Sequence, residues 1–223
     1  MRGASDVSGL LDELGPALDQ LRSTCGNLGS LDCAQFLILQ QFMALFLMMP
    51  AIIPVTIAAY SIVGEKNTHT LEPLLATPIT TGQLLTGKAL AAAIPAVAAS
   101  FVAFIIFATG TYFLAASPAV ALQLFSPLWL ISIFVIGPLL SLAGVSLAVM
   151  ISSRVNEPRA AEQLSALIIL PVMAIFVGQL IGAVTVNQNF LLILAGALAV
   201  VDLALLYFTT QVFQRENILT RWK

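Results

Sequence analysis

An all-α, polytopic membrane protein with about five transmembrane helices is the fold this chain predicts, on three observations. Of its 223 residues, 59% are hydrophobic and only 9% charged, where a soluble domain carries about 25% charged residues. The charges are clustered: none falls within 33–64, 89–153 or 163–201. The two longer runs are broken by turn-forming residues, Ala116-Ser117-Pro118 with Ser126-Pro127 in one and Val186-Asn187-Gln188-Asn189 in the other. A globular core cannot hide so much apolar surface, so lipid is the solvent. One crossing needs roughly 20 apolar residues, which places spans near 36–62, 90–116, 127–151, 163–185 and 190–212.

The segment 1–35 precedes the first span. Leu10, Leu11, Leu14, Leu18 and Leu21 stand there at helical spacing, which suits a short amphipathic surface helix as well as a partly ordered tail. No secretory signal is legible, because no apolar run follows Arg2 until residue 34. The two cysteines, Cys25 and Cys33, are both in this tail. A disulfide between them would close a short loop. Two thiols make only half a zinc site.

Orientation follows from lysine and arginine. Lys66, Lys88, Arg154, Arg159, Arg215, Arg221 and Lys223 share one side, against Arg2 and Arg22 on the other. This puts 64–88, 152–162 and the C-terminus in the cytoplasm and the N-terminus outside. A multi-pass protein of the plasma membrane is expected. A formal net charge of −2 argues against nucleic acid as a partner.

The cytoplasmic stretch 64–88 reads GEKNTHTLEPLLATPITTGQLLTGK. It ends as a near copy of a nucleotide-binding loop, Gly82-x-x-x-x-Gly87-Lys88, but the next residue is Ala89. That loop needs a hydroxyl there to hold magnesium, and a strand feeding it. Neither is present, so ATP binding is not expected. Gly82 and Gly87 read instead as residues that let a helix start and pack closely. Earlier in the stretch, Leu71, Leu74 and Leu75 form an i, i+3, i+4 stripe, with Glu65, Lys66, His69 and Glu72 on other faces. Pro73 fits a first helical turn and Pro78 ends the element. Spacing alone leaves two readings open: an interfacial helix resting on membrane lipids, or a knob that docks on a cytoplasmic partner.

At these residues the chain resembles the permease subunit of type-2 ATP-binding-cassette transporters. The resemblance is carried by Gly64-Glu65-Lys66, by Thr70-Leu71-Glu72-Pro73-Leu74-Leu75-Ala76-Thr77-Pro78 and by Leu84-Leu85-x-Gly87-Lys88. Ser152-Ser153-Arg154-Val155-Asn156-Glu157-Pro158-Arg159-Ala160-Ala161 and Phe213 through Lys223 support it. It covers about 36–223. The resemblance implies a non-enzymatic membrane subunit, paired as a homodimer or with a second permease. Two separate ABC ATPase subunits would bind the ATP. Glu65, Leu71, Glu72, Pro73, Leu74 and Leu75 would form the element that couples to them. Members of this family usually have six spans. Here the first is expected to be absent, with 1–35 resembling the end of the outer segment that follows it.

Within the spans, Asp202 is the only charge well inside. A carboxylate there costs about 3 kcal/mol on insertion scales, so it should face protein or water, as a substrate or proton contact or in a buried hydrogen bond. Gln40, Gln41 and Gln179 read as interhelical contacts. Gly178-x-x-x-Gly182 permits close helix approach, between copies or within one chain. Pro50, Pro54, Pro95, Pro138 and Pro171 each remove a backbone donor. An intramembrane enzyme would need converging nucleophiles or metal ligands, and the spans hold no His or Cys. A non-transporting scaffold or assembly factor remains the main rival.

Overall fold

A computed structural model describes residues 30–68, 81–115, 117–152, 155 and 157–212. Among them the chain is helical, and five segments are long and apolar enough to cross a membrane: Leu31–Ser61, Thr86–Leu114, Pro118–Ser152, Pro158–Leu180 and Gln188–Thr209.

The first span is the helix α1 (Ser30–Asn67, 38 residues), and the second is α2 (Thr81–Leu114, 34 residues). At 1.5 Å per residue they are about 57 and 51 Å long, well beyond the roughly 30 Å hydrocarbon core. The third span is built in pieces. Pro118 starts α3 (Pro118–Leu122), a 3₁₀ turn follows at Gln123–Phe125, and Pro127 starts α4 (Pro127–Ile131). A π-helical turn, Ser132–Ile136, leads into α5 (Gly137–Ser152). In that turn the Gly137 N–H reaches the Ser132 carbonyl five residues back. Pro138 explains the widening: it has no N–H, and its ring would strike the carbonyl four residues earlier in a regular helix.

The fourth span runs from α6 (Pro158–Ser165) through a 3₁₀ turn at Ala166–Ile168 into α7 (Ile169–Leu180). The expected span, 163–185, is therefore displaced by about a turn. Pro158 sets the start as a first-turn proline. Gly182, with φ of 71°, sets the end. The fifth span is α8 (Gln188–Val212), opened by the Asn187 side chain, whose Oδ1 accepts the Phe190 N–H at 2.8 Å.

Helices in lipid gain nothing by hiding apolar faces from one another, so close association depends on small residues and shape. The seam between α1 and α5 follows that rule. Ala51, Val55 and Ala58 of α1 are buried with Ala143, Val145 and Ala148 of α5. Pro50 and Pro54, both buried, lie on this seam. Gly137 packs on the Pro50 ring, so the prolines sit where a neighbouring helix covers the interrupted ladder. A second cluster holds α1, α2 and α4 together. Trp129, 1% exposed, stacks on Phe104 and Phe107 with ring centroids 5.9 Å from each, and Phe46 packs edge-on against it. Around this frame α7 and α8 turn mostly apolar, exposed surfaces outward.

Candidate functional site

The bundle has two ends. One carries the termini Asn67, Thr81, Ser152 and Pro158 of their helices and is called the loop end; the other carries Ser30, Leu114, Leu180 and Gln188.

At the loop end, α1 runs on to Asn67 and α2 begins at Thr81. Residues 62–67 and 81–85 are the last and first turns of these two helices there, about 9 and 8 Å of helix. They are two helical posts on either side of residues 69–80, which lie outside the described residues. Thr68 closes the first post: its N–H and its hydroxyl both donate to the Gly64 carbonyl at 3.0 Å. Glu65 lies on the backbone of this post. Leu71, Glu72, Pro73, Leu74 and Leu75, the rest of the expected coupling element, lie outside the described residues, as do His69 and Pro78.

The near nucleotide loop forms the first turns of α2. Beyond the first turn, the N–H groups that would cradle phosphate are used by carbonyls four residues back. Thr86 likewise turns its hydroxyl to its own helix, donating to the Gln83 carbonyl at 3.1 Å. Among the described residues nothing lies within 4 Å of a Cβ built on Gly87, so it makes no close packing with them.

The second loop-end element is α6. It buries Ala161 and Ser165 and exposes Glu157, Arg159 and Gln163. Ala161 packs with Ala59 and Val63 of α1, flanked by Ile151 and Val155. One turn nearer the membrane centre on α1, the Thr56 hydroxyl donates to Glu162 Oε1 at 2.8 Å. Three chain segments thus meet at the base of the first post. Sequence reasoning assigned Glu162 to a loop and passed over Thr56. The signal was available: Pro158 followed by an amphipathic turn marks a helix start.

Asp202 is 4% exposed, on the face of α8 that carries Leu191, Ala195 and Thr209 inward. Among the described residues neither of its carboxylate oxygens accepts a hydrogen bond. Gln179 Oε1 is likewise buried without a donor. The two are not brought into one pocket. Gln179 lines an apolar void of about 50 Å³ with Met43, Leu47, Ile136, Leu191 and Leu194, and Asp202 is not among its lining residues. A wider apolar groove of about 370 Å³ opens at the opposite end between α1 and α2, along Ile38, Phe42, Phe107 and Leu114.

Within the chain, Gly178 and Gly182 form a helix end rather than a face against another helix. Gly182 adopts the left-handed conformation, and the chain folds back so that the Val184 N–H donates to the Gly178 carbonyl at 3.0 Å. The close approach expected of this pair is made by Gly144 instead, against Ala51 and Val55. Cys33 lies in the first turn of α1; Cys25 lies outside the described residues, and with it the expected bond between them. Among the described residues no three metal-ligating side chains gather.

A search of curated proteins and a search of solved structures found no significant match. A family model, that of the ABC-2 family transporter proteins, matches residues 3–218. With nearly the whole length matched and five membrane-spanning helices in place, the chain belongs to the ABC-2 transporter family as a multi-pass membrane permease.

Proposed function

We propose that this permease is the membrane subunit of an ABC exporter, which moves its substrate by alternating access as ATP closes a separate pair of ATPase subunits. The chain works as a homodimer or with a second permease, in the plasma membrane. Its loop end faces the cytoplasm and its N-terminus lies outside. ATP is bound by the partner and not by this chain. The observation that carries the reading is the family match across residues 3–218 in a chain with five helices long and apolar enough to span a membrane. Between α1 and α2 the chain carries residues 69–80. The sequence of that segment, with its Leu71, Leu74 and Leu75 stripe, supports a docking role.

The test is recovery of the ATPase. Affinity purification of the tagged permease from its native membranes should bring down an ABC ATPase subunit. Leu74→Asp at matched membrane levels should lose it. A buried unpaired charge costs several kcal/mol, enough to weaken binding about a hundredfold or more at 1.4 kcal/mol per decade. Equal recovery with Leu74→Asp would remove the stripe from the coupling role. Recovery of no ATPase with the unaltered chain would favour a scaffold over a transporter.

A further inference from the structure

The hydroxyls of Ser100, Thr109, Ser165 and Thr209 all turn back to the carbonyl four residues earlier in their own helix. That is the local option open to any helical Ser or Thr, and it needs no partner. Thr56 does not take it. Its hydroxyl leaves α1 and donates to Glu162 Oε1 on α6, across 106 positions of sequence. The helices are held close on the loop-end side of the bond: Thr56, Ala59 and Val63 lie along one face of α1, and Ala59 and Val63 pack on Ala161. Thr56 is eleven residues before Asn67, the last residue of α1, so the bond sits about 17 Å from the end of that helix.

From this geometry we infer that Glu162 is a positioning residue, and that its bond with Thr56 is a strut making the loop-end parts of α1 and α6 move as one body. The inference rests on the transporter reading and deepens it. A pull delivered through the chain that follows α1 reaches α1 first. Without the strut, α1 slides against α6 on a contact of alanine and valine methyl groups, which have little grip along the helix axis. With it, displacement of α1 carries α6, and through the continuous α6–α7 span reaches Leu180 and Gln188 at the opposite end. The residue needs a directional acceptor rather than a charge, since the partner the structure gives it is a neutral hydroxyl.

The experiment uses the complex of permease and ATPase in membranes, with the single cysteine Gln188→Cys as reporter in a background lacking Cys25 and Cys33. Gln188 is exposed. Its rate of reaction with an impermeant maleimide is measured with and without ATP and vanadate. Thr56→Val and Glu162→Leu should still retain the ATPase on pull-down. They should lose the nucleotide-driven change in rate by about tenfold, the scale of one hydrogen bond. Thr56→Ser and Glu162→Gln, which restore a donor and an acceptor, should keep it; a merely structural role for bulk at these sites would not separate the pairs. A nucleotide response in Thr56→Val equal to the parent's overturns the strut. Should Thr56→Val not fold, a short bis-maleimide bridge between Thr56→Cys and Glu162→Cys replaces it. The bridged complex should respond to nucleotide, and loss of response would show that α1 and α6 must separate, overturning the inference. Absence of the ATPase from the parent pull-down is a different failure: it removes the transporter reading, and the strut with it.

Discussion

Gly144 of α5 meets α1 so closely that a Cβ on it would stand 3.1 Å from the Ala51 carbonyl oxygen and 3.1 Å from Val55 Cγ2. One of the two contacts is backbone, which cannot rotate away. Gly144 lies on the seam that carries Pro50, packed against Gly137, and it limits how far the two central helices can approach with a larger residue at 144.

The first prediction follows from that distance. Gly144→Val should force α1 and α5 apart and destabilise the protein by about 1–3 kcal/mol, the usual range for overpacking. Gly144→Ala should cost less. Gly196→Ala is the control, because nothing lies within 4 Å of a Cβ built there. Thermal unfolding in detergent, at equal expression, reads the difference. A Gly144→Val protein that melts with the parent would mean that the seam yields freely.

The second concerns the end of span four. Gly182 has φ of 71°, so Gly182→Ala should cost about 1 kcal/mol for the left-handed conformation alone. Gly178→Ala should cost more, since its Cβ would lie 2.7 Å from Val184 Cγ2. Val184→Ala on top of Gly178→Ala should recover most of that loss. Were the pair a helix–helix face instead, Val184→Ala would rescue nothing.

The third concerns Asp202. A buried polar group without a partner costs about 1–3 kcal/mol, and Asp202 is 4% exposed with both oxygens unpartnered among the described residues. Asp202→Leu should therefore raise the melting temperature. If transport or coupled ATP hydrolysis falls in the same variant, the carboxylate is kept for function at the expense of stability. A lowered melting temperature would show that it has a structural donor after all.

Much of this architecture was legible because the bilayer imposes a length and forbids charge. Charge-free runs at 33–64, 89–153 and 163–201 locate five spans without any need for periodicity. The boundaries were less legible where charge and helix part company. Arg159 and Glu162 pushed the expected start of span four to 163, yet both belong to α6, with Glu162 satisfied by Thr56. Packing faces were not legible at all. α1 and α5 are apolar all round, so no stripe distinguishes the seam from the lipid face. Glycine spacing then pointed to Gly178 and Gly182, where a turn and not a partner helix needed them. Gly144 stands only in the weaker small-xxx-small spacing, with Ala148. The Thr56–Glu162 bond joins residues too far apart in sequence for any local pattern to reveal it. The coupling stripe shows the opposite case: Leu71, Leu74 and Leu75 are read from spacing and lie outside the described residues.

The last prediction is the orientation of the whole bundle. Seven of the nine lysines and arginines, Lys66, Lys88, Arg154, Arg159, Arg215, Arg221 and Lys223, fall on the side assigned to the loop end. Short loops rich in these residues stay in the cytoplasm, and the anionic inner leaflet attracts each by about 1 kcal/mol. Glu157 and Gln188 are exposed at opposite ends of the fourth and fifth spans, so they report the two sides directly. In a background lacking Cys25 and Cys33, Gln188→Cys should react with an impermeant maleimide in intact cells. Glu157→Cys should react only after the membrane is opened. A protein in which both react in intact cells would be inserted in two orientations. The reverse pattern would place the loop end outside, where no cytoplasmic ATPase could reach the posts, and the transporter reading would fall with the topology.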